Sequence, residues 1–298
     1  MNGIINIYKE KNFTSHDVVA KLRGILKIRK IGHTGTLDPD AVGVLPICIN
    51  RATKVCDMLT DKDKVYETVM LLGVTTDTQD TSGEILLEKE VTANEEEVKA
   101  VINTFVGEYA QIPPMYSALK VNGKKLYELA REGIEIERKA RNVTIYSIEI
   151  LEVSLPRVRM RVHCSKGTYI RTLCHDIGIK LNCGACMEEL KRTKVSIFDI
   201  KDAYTLAEVE TIMKDGKIEE IIMPIDKIFC EYKKLSILEQ YDKLVYNGNK
   251  FKENCIEEKY TFSQSEQCRV YDSKGEFVGV YEYVEKYKEF KPVKIFMI

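Results

Sequence analysis

The stretch GHTGTLDPDAVGVL, residues 32–45, is the most informative part of this 298-residue chain. It places one carboxylate, Asp38, in a short turn with three glycines and a proline, directly before the apolar run 44–49. Glycine lets the backbone come close to a ligand, and proline fixes a bend. An aspartate before a proline is most often a turn residue that bonds its own backbone. The stretch therefore indicates either an ordinary turn or a loop that presents Asp38 to a ligand.

The composition is that of a folded protein with a substantial core. Apolar residues make up 44% of the chain and charged residues 31%, and the length suits one large domain and a small one. The sequence has no run of about 18 apolar residues and no signal-peptide pattern at its start, so no membrane span or export is expected. Nine cysteines, an odd number, favour reduced thiols and a cytoplasmic location.

Charge is distributed unevenly along the chain. The net charge is −1, but residues 119–194 contain 16 Lys and Arg against 9 Asp and Glu. Arg157, Arg159 and Arg161 alternate with apolar residues, a pattern that predicts a strand with one basic face. This basic third could face the phosphates of a nucleic acid. Alternatively, its cations are solvated and balanced by nearby acids.

The order of elements predicts a mixed α+β fold. Residues 3–8, 44–49, 65–74, 143–153 and 157–164 read as strands, and residues 168–181 and 206–213 as helices. Capping boxes are predicted at Thr14–Asp17 and Thr92–Glu95, each opening a helix. No strict alternation of strands and helices suggests a doubly wound sheet, so most strands are expected to be joined by hairpins.

The 32–45 stretch resembles the catalytic loop of the TruB-type pseudouridine synthases, which isomerise one uridine in the T loop of tRNA. Three further segments carry the same resemblance: YETVMLLGVTTDTQDTSG (66–83), CSKGTYIRTL (164–173) and LNCGACMEELKRTK (181–194). The resemblance also covers residues 111–120 and 123–133. Near the N-terminus the chain departs from the family, with Glu10 in place of a proline and Asn12 in place of a glycine.

The resemblance implies a role for each of five residues. Asp38 is the expected catalytic carboxylate, acting as a nucleophile or as a base at the sugar, and Arg171 pairs with it. A neighbouring guanidinium favours the ionised carboxylate and fixes its orientation. Tyr66 is expected to stack on the target base, Leu190 to pack against that base, and His33 to fill the space that the extruded uridine leaves.

The resemblance also implies how the RNA is held. Five lysines are expected to bind substrate, with Lys9 supporting the wall of the active site: Lys9, Lys54, Lys120, Lys124 and Lys125. Residues 111–141 are expected to form a mobile segment that closes over the T stem-loop, where lysines would contact phosphates without reading sequence. Cys183 and Cys186 form a lone C-x-x-C pair, and no metal or other cofactor is expected.

The predicted architecture is a pseudouridine synthase domain (1–229) with a mixed, mainly antiparallel sheet flanked by helices, followed by a small β-rich PUA-like domain (230–298). The predicted function is isomerisation of uridine 55 of tRNA by a stand-alone cytoplasmic monomer. Three alternatives remain open. They are a tRNA chaperone without chemistry, a guide-RNA-dependent relative inside a ribonucleoprotein, and a uridine-binding metabolic enzyme. The last is disfavoured because the sequence has no phosphate-binding glycine loop.

Overall fold

The computed structural model describes residues 1–121 and 123–297, and within them the chain forms 18 strands and seven α-helices. The strands are β1 (Gly3–Lys9), β2 (Ile31–His33), β3 (Val42–Ile49), β4 (Lys64–Leu72), β5 (Val74–Thr76), β6 (Ile85–Glu88), β7 (Gly107–Gln111), β8 (Lys120–Val121), β9 (Lys124–Lys125), β10 (Arg141–Ser154), β11 (Arg157–Cys164), β12 (Ala185–Val195), β13 (Phe198–Asp199), β14 (Lys233–Ser236), β15 (Phe251–Lys252), β16 (Gln267–Tyr271), β17 (Phe277–Val284) and β18 (Glu289–Ile295). The helices are α1 (Ser15–Leu26), α2 (Cys56–Thr60), α3 (Glu95–Asn103), α4 (Leu126–Arg131), α5 (Ile170–Lys180), α6 (Leu206–Lys214) and α7 (Asp242–Tyr246). A turn predicted from the Asn122–Gly123 pair begins on a residue outside the described range.

Local sequence explains where the first helices begin. Thr14 caps α1, and Thr14 and Asp17 form the predicted capping box. Before α3 the predicted box at Thr92 is wrong. Asn94 is the N-cap, and its partner is Glu97. Thr92 and Asn94 each stand three residues before a Glu and could each cap a helix. Only the side chain of Asn94 reaches an amide in the first turn of α3.

The large sheet contains nine strands, with the order β1-β3-β12-β4-β11-β10-β7 and with β2 and β13 paired to β3 and β12. Only the β3–β12 pair is parallel among the described strands of this sheet, so the predicted mixed, mainly antiparallel sheet is confirmed. Helix α5 packs on one face of this sheet, where its apolar side chains share a core with those of β4, β11 and β12. Because β3 follows the Asp38 loop, the β3–β12 junction brings that loop to the centre of the sheet.

Strand β12 lies in the interior of the sheet, between β3 and β4, although no strand is predicted for residues 185–195. Its pairing with β4 has irregularities between Met187 and Glu189 and between Arg192 and Lys194. Each bulge shifts the side-chain alternation by one residue, and so the period-2 pattern that marks a strand is lost.

The basic face predicted on β11 is present, but it is neutralised. Val158, Met160 and Val162 are buried, as the alternation predicts. On the other face, each of the three arginines has a carboxylate partner. The pairs are Arg157–Glu188 (2.8 Å), Arg159–Glu189 (3.9 Å), Arg161–Glu67 (2.8 Å) and Arg161–Glu149 (2.6 Å). This strand therefore fits the alternative in which cations are balanced by nearby acids.

A second sheet of five strands, β14-β16-β17-β18-β15, is built wholly from residues 233–295 and encloses its own core. The expected small β-rich unit at the C-terminal end is thus confirmed, and its predicted boundary at 229/230 stays a prediction. One apolar cluster joins the two sheets, with Ile4 and Val44 from the large sheet and Val280 and Phe296 from the small one. Within the described part of the chain, no helix is long and apolar enough to cross a membrane.

Candidate active site

The Asp38 loop meets the start of helix α5 in an ion pair. Arg171, the second residue of α5, has its Nη2 3.2 Å from Oδ2 of Asp38. The arginine side chain is 7% exposed, whereas that of Asp38 is 42% exposed. A buried guanidinium therefore orients a carboxylate that remains open to a ligand, which is the arrangement that a reacting carboxylate needs.

Other contacts fix the position of Arg171. Its Nη1 donates to the Thr78 carbonyl at 3.2 Å and lies 3.7 Å from a carboxylate oxygen of Asp80. Its Nη2 also donates to the carbonyl of Tyr116 at 2.8 Å. The arginine thus links the Asp38 loop, the turn after β5 and the start of the 111–141 segment.

Lys9 holds the Asp38 loop from the side of β1. It is fully buried, and its ammonium donates to the carbonyls of Glu10 (3.1 Å), Phe13 (2.5 Å) and Pro39 (3.1 Å). Burial lowers the pKa of Lys9 to about 8, although Asp38 and Asp40 act in the opposite direction. A buried ammonium has no surface to offer to RNA. The structure therefore favours the predicted role in the active-site wall over the predicted contact with substrate.

Arg192, on β12, supports the same loop from below. It is 1% exposed, and its guanidinium donates to the carbonyls of Val44 (2.7 Å) and Gly35 (3.2 Å). It lies directly opposite Tyr66 of β4, whose phenol feels its charge. No carboxylate lies within ion-pair distance of Arg192 among residues 1–121 and 123–297. Arg192 belongs to the basic third of the sequence, but its burial leaves it no surface to offer to a phosphate.

Tyr66 and Leu190 lie on the β4–β12 pair below the loop. Tyr66 is 9% exposed and packs in the same core cluster as Leu37, and half-buried Leu190 packs against that cluster. Burial raises the pKa of Tyr66, while the charge of Arg192 acts to lower it. The phenol is therefore protonated at neutral pH. These two side chains give the site an apolar floor next to the Asp38–Arg171 pair.

His33 ends β2, immediately before the loop. Its ring meets that of His16 edge-on, with centroids 5.4 Å apart, and its Nδ1 accepts from the Gly35 amide at 3.3 Å. Burial lowers the pKa of His33, and the charges of His16 and Arg192 lower it further. His33 is therefore a neutral, half-buried ring at the edge of the site.

The four remaining lysines lie in two places. Lys54 is half-buried, and its Nζ donates to the Ile295 carbonyl on β18 at 2.9 Å, which ties it to the small sheet. Lys120, Lys124 and Lys125 belong to the β8–β9 hairpin, and Lys120 and Lys124 are exposed. Contact of these side chains with RNA stays a prediction.

The 111–141 segment has its own small core. Met115, Leu126 and Leu129 form a cluster separate from the main cores. The Tyr116 phenol donates to Asp77 at 3.2 Å, near the Tyr116 carbonyl that receives Arg171. The segment is thus a compact unit anchored beside the active-site arginine.

Sequence reasoning gave no role to Asp80, Tyr116 or Arg192, although all three touch the site. Asp80 and Tyr116 lie in segments that carry the family resemblance. Their contacts with Arg171 span 91 and 55 positions of the chain, and so no local sequence pattern reveals these contacts. A strand prediction for residues 185–195 would have placed Leu190 and Arg192 on one face. Among the described residues, no group of three or more His, Cys, Asp or Glu could hold a metal ion.

Comparison with known proteins agrees with this architecture. A model of the "TruB family pseudouridylate synthase (N terminal domain)" matches residues 23–170, and one of the "tRNA pseudouridylate synthase B C-terminal domain" matches residues 171–229. The second model thus ends where the predicted catalytic domain ends.

Relatives match along the whole length. A protein of Lachnoclostridium phytofermentans named tRNA pseudouridine synthase B is 54% identical over 100% of both chains. One of the same name from Clostridium tetani is 46% identical over 99% of both.

Among solved structures, a Cbf5-Nop10-Gar1 complex matches with a TM-score of 0.75 and 30% identity, covering 99% of this chain and 85% of the other. An H/ACA RNP bound to a substrate RNA containing 2'-deoxyuridine matches with a TM-score of 0.75 and 26% identity, at the same coverage. These likenesses confirm both the family and the enzyme class predicted above: the chain belongs to the TruB family of pseudouridylate synthases, which are RNA isomerases.

Proposed function

We propose that this protein converts uridine 55 in the T loop of tRNA to pseudouridine, acting as a cofactor-free monomer in the cytoplasm. The observation that carries the proposal is the half-exposed carboxylate of Asp38 beside the buried guanidinium of Arg171. The choice of tRNA rests on the relatives, whose printed name is tRNA pseudouridine synthase B.

The reaction needs one carboxylate and a site that holds a detached base. The C1′–N1 bond breaks, the uracil rotates, a C1′–C5 bond forms, and the hydrogen of C5 leaves as a proton while N1 gains one. Asp38 acts either as a nucleophile at the sugar or as a base. Arg171 keeps the carboxylate oriented, and the ring of Tyr66 with the side chain of Leu190 retains the uracil while it turns.

Base extrusion precedes this chemistry. Flipping a nucleotide costs a few kcal/mol in lost stacking, and a group that fills the gap offsets part of that cost. The neutral ring of His33 at the rim of the site suits this role because it enters a stack without the desolvation cost of a charge. Lys120, Lys124 and Lys125 on the hairpin would contact the phosphates of the stem when segment 111–141 closes over it.

The guide-RNA-dependent alternative is the second candidate, since the solved structures that match include H/ACA complexes. Identity to those chains is 26% and 30%, against 54% and 46% for the relatives named as tRNA enzymes. The higher identity supports a protein that acts without a guide RNA.

Tritium release from a T-arm transcript labelled at C5 of uridine tests the proposal directly. We expect release by the wild type, none by Asp38→Ala or Asp38→Asn, and wild-type release by Asp40→Asn. Asp40 is an exposed acid in the same loop and serves as the matched control. Silence of the wild type on bare transcript, with RNA still bound, would favour the chaperone or the guide-dependent form. Equal release by wild type and both Asp38 variants would remove Asp38 from the chemistry.

A further inference from the structure

A cavity opens next to His33, on the side of β2 that faces α1. Its volume is about 620 Å³, which is in the range of sites for small ligands. Its polar lining includes His16, Arg23, Arg29, Lys30, His33 and Thr53. We call this cavity the His33 pocket.

The lining of the His33 pocket is cationic and contains no Asp or Glu. Arg23, Arg29 and Lys30 are exposed, and within residues 1–121 and 123–297 none of them has a carboxylate within 4.0 Å. The Nε of Arg23 donates to the Arg29 carbonyl at 3.1 Å, so the two arginines are held together at the end of α1. This differs from β11, where all three arginines have acidic partners.

The His33 pocket and the proposed active site are formed by neighbouring parts of the chain. His33 lines the pocket and ends β2, and Asp38 follows it by five residues. Gly32 also lines it, and a Cβ there would lie 3.2 Å from the sulfur of Cys56. The absence of a side chain at Gly32 thus keeps the floor of the pocket low and lets a ligand approach the backbone.

We propose that the His33 pocket binds the sugar-phosphate of a nucleotide next to the target uridine, with Arg23, Arg29 and Lys30 as its phosphate ligands. The proposal rests on the proposed function, because it takes the target uridine to bind at Asp38, five residues after His33, so that a neighbouring nucleotide is available to the pocket. Unpartnered cations beside a nucleotide-sized cavity suit a phosphodiester, since binding releases counterions and leaves no acid to repel it. The site positions the strand and reads no base.

The first test removes the three cations. We compare R23Q/R29Q/K30Q with the matched control R157Q/R159Q/R161Q, both in an Asp38→Ala background, and measure T-arm binding by filter retention at several salt concentrations. The pocket variant should bind the T-arm at least about tenfold more weakly at 0.1 M salt. When log K is plotted against the logarithm of the salt concentration, its slope should be shallower by about two. The control should keep the slope of the Asp38→Ala protein that has no further substitution. Equal losses in both variants would mean that only overall charge matters, which would overturn the proposal.

The second test locates the phosphate. We use T-arm RNAs that each carry one neutral methylphosphonate near the target uridine. Their binding is measured to the Asp38→Ala protein and to the same protein with R23Q/R29Q/K30Q. One or two substitutions flanking the uridine should weaken binding to the Asp38→Ala protein yet have no effect on its pocket variant. If every substitution acts equally on both proteins, no phosphate occupies the pocket. Inorganic phosphate or uridine monophosphate that competes with the RNA at micromolar concentration would indicate a separate small-molecule site and would also overturn the proposal.

The two proposals fail in distinguishable ways. With Asp38 intact, R23Q/R29Q/K30Q should release tritium with a KM raised at least about tenfold and a kcat near that of the wild type. A silent wild type would overturn the proposed function. An active wild type whose KM the three substitutions leave unchanged would overturn only the role of the His33 pocket.

Discussion

Arg192 lies directly opposite Tyr66 across the β4–β12 pair, and its guanidinium donates to the carbonyls of Val44 on β3 and of Gly35 in the Asp38 loop. One buried cation thus fixes the floor of the site and the loop above it. It has no acidic partner among the described residues, so its charge is stabilised by oxygen dipoles alone.

Replacing Arg192 should therefore damage both stability and catalysis. Arg192→Gln leaves the carbonyls of Val44 and Gly35 without their donor, and we expect the free energy of unfolding in urea to fall by about 2–4 kcal/mol. The control, Arg159→Gln on the exposed face of β11, should change it by less than about 0.5 kcal/mol. Under conditions where the variant stays folded, kcat should fall while KM changes little. A change confined to stability would show that Arg192 has no part in positioning Tyr66.

Arg171→Lys tests whether the shape of the guanidinium matters beyond its charge. The arginine contacts Asp38, Thr78 and Tyr116 through two separate nitrogens, and a single ammonium cannot reproduce that fork. We expect kcat for tritium release to fall by about 10²-fold, with T-arm affinity within about threefold of wild type. Full activity of the lysine variant would reduce the role of Arg171 to that of a nearby positive charge.

Gly43 should not tolerate any side chain. It has a φ of +108°, and a Cβ there would lie 2.2 Å from the Arg192 carbonyl oxygen. Because the clash is with main chain on the neighbouring strand, Gly43→Ala should separate β3 from β12 and abolish folding or activity. Gly24→Ala is the contrasting variant, since Gly24 lies in α1 with nothing within 4 Å. Thermal melting should show it to be more stable by roughly 0.5–1 kcal/mol.

Lys9 should make stability depend on pH in the alkaline range. Its pKa is lowered by burial from 10.5 to about 8, so between these values the unfolded chain binds a proton that the folded protein has released. Stability from this site therefore rises with pH across that window. We expect the unfolding free energy of wild type minus that of Lys9→Met to grow by about 3 kcal/mol between pH 8 and 10.5. A difference that is flat with pH would mean that Lys9 titrates normally.

The fold class and the residues within contiguous motifs could be predicted from the sequence because their signals are local. The cap of α1, the alternating face of β11 and the loop around Asp38 all depend on neighbours in the chain. What could not be predicted depends on distant pairing. The bulged strand β12, the contact of Asp80 with Arg171 and the burial of Arg192 appear only when segments about 90 or more residues apart come together.

Charge illustrates the same limit. Three arginines in alternation and three cations near the end of α1 look alike as composition, yet only the first set meets acids from neighbouring strands. Strand pairing neutralises the arginines of β11, whereas the three cations near the end of α1, which lie outside the segment with the highest charge count, meet no acid among the described residues.

Lys9 and Arg192 hold the Asp38 loop through hydrogen bonds to main-chain carbonyls, and this determines which positions of the loop tolerate substitution. Among the described residues, the hydrogen bonds from these two cations to the loop all go to main-chain oxygens, so the exposed side chains of Thr36 and Asp40 do not hold the loop in place. Most substitutions at these two positions should leave the loop in place, whereas the glycines and the two cations beneath should admit almost none. The loop therefore offers two exposed positions at which RNA preference can be varied by selection without unfolding the site.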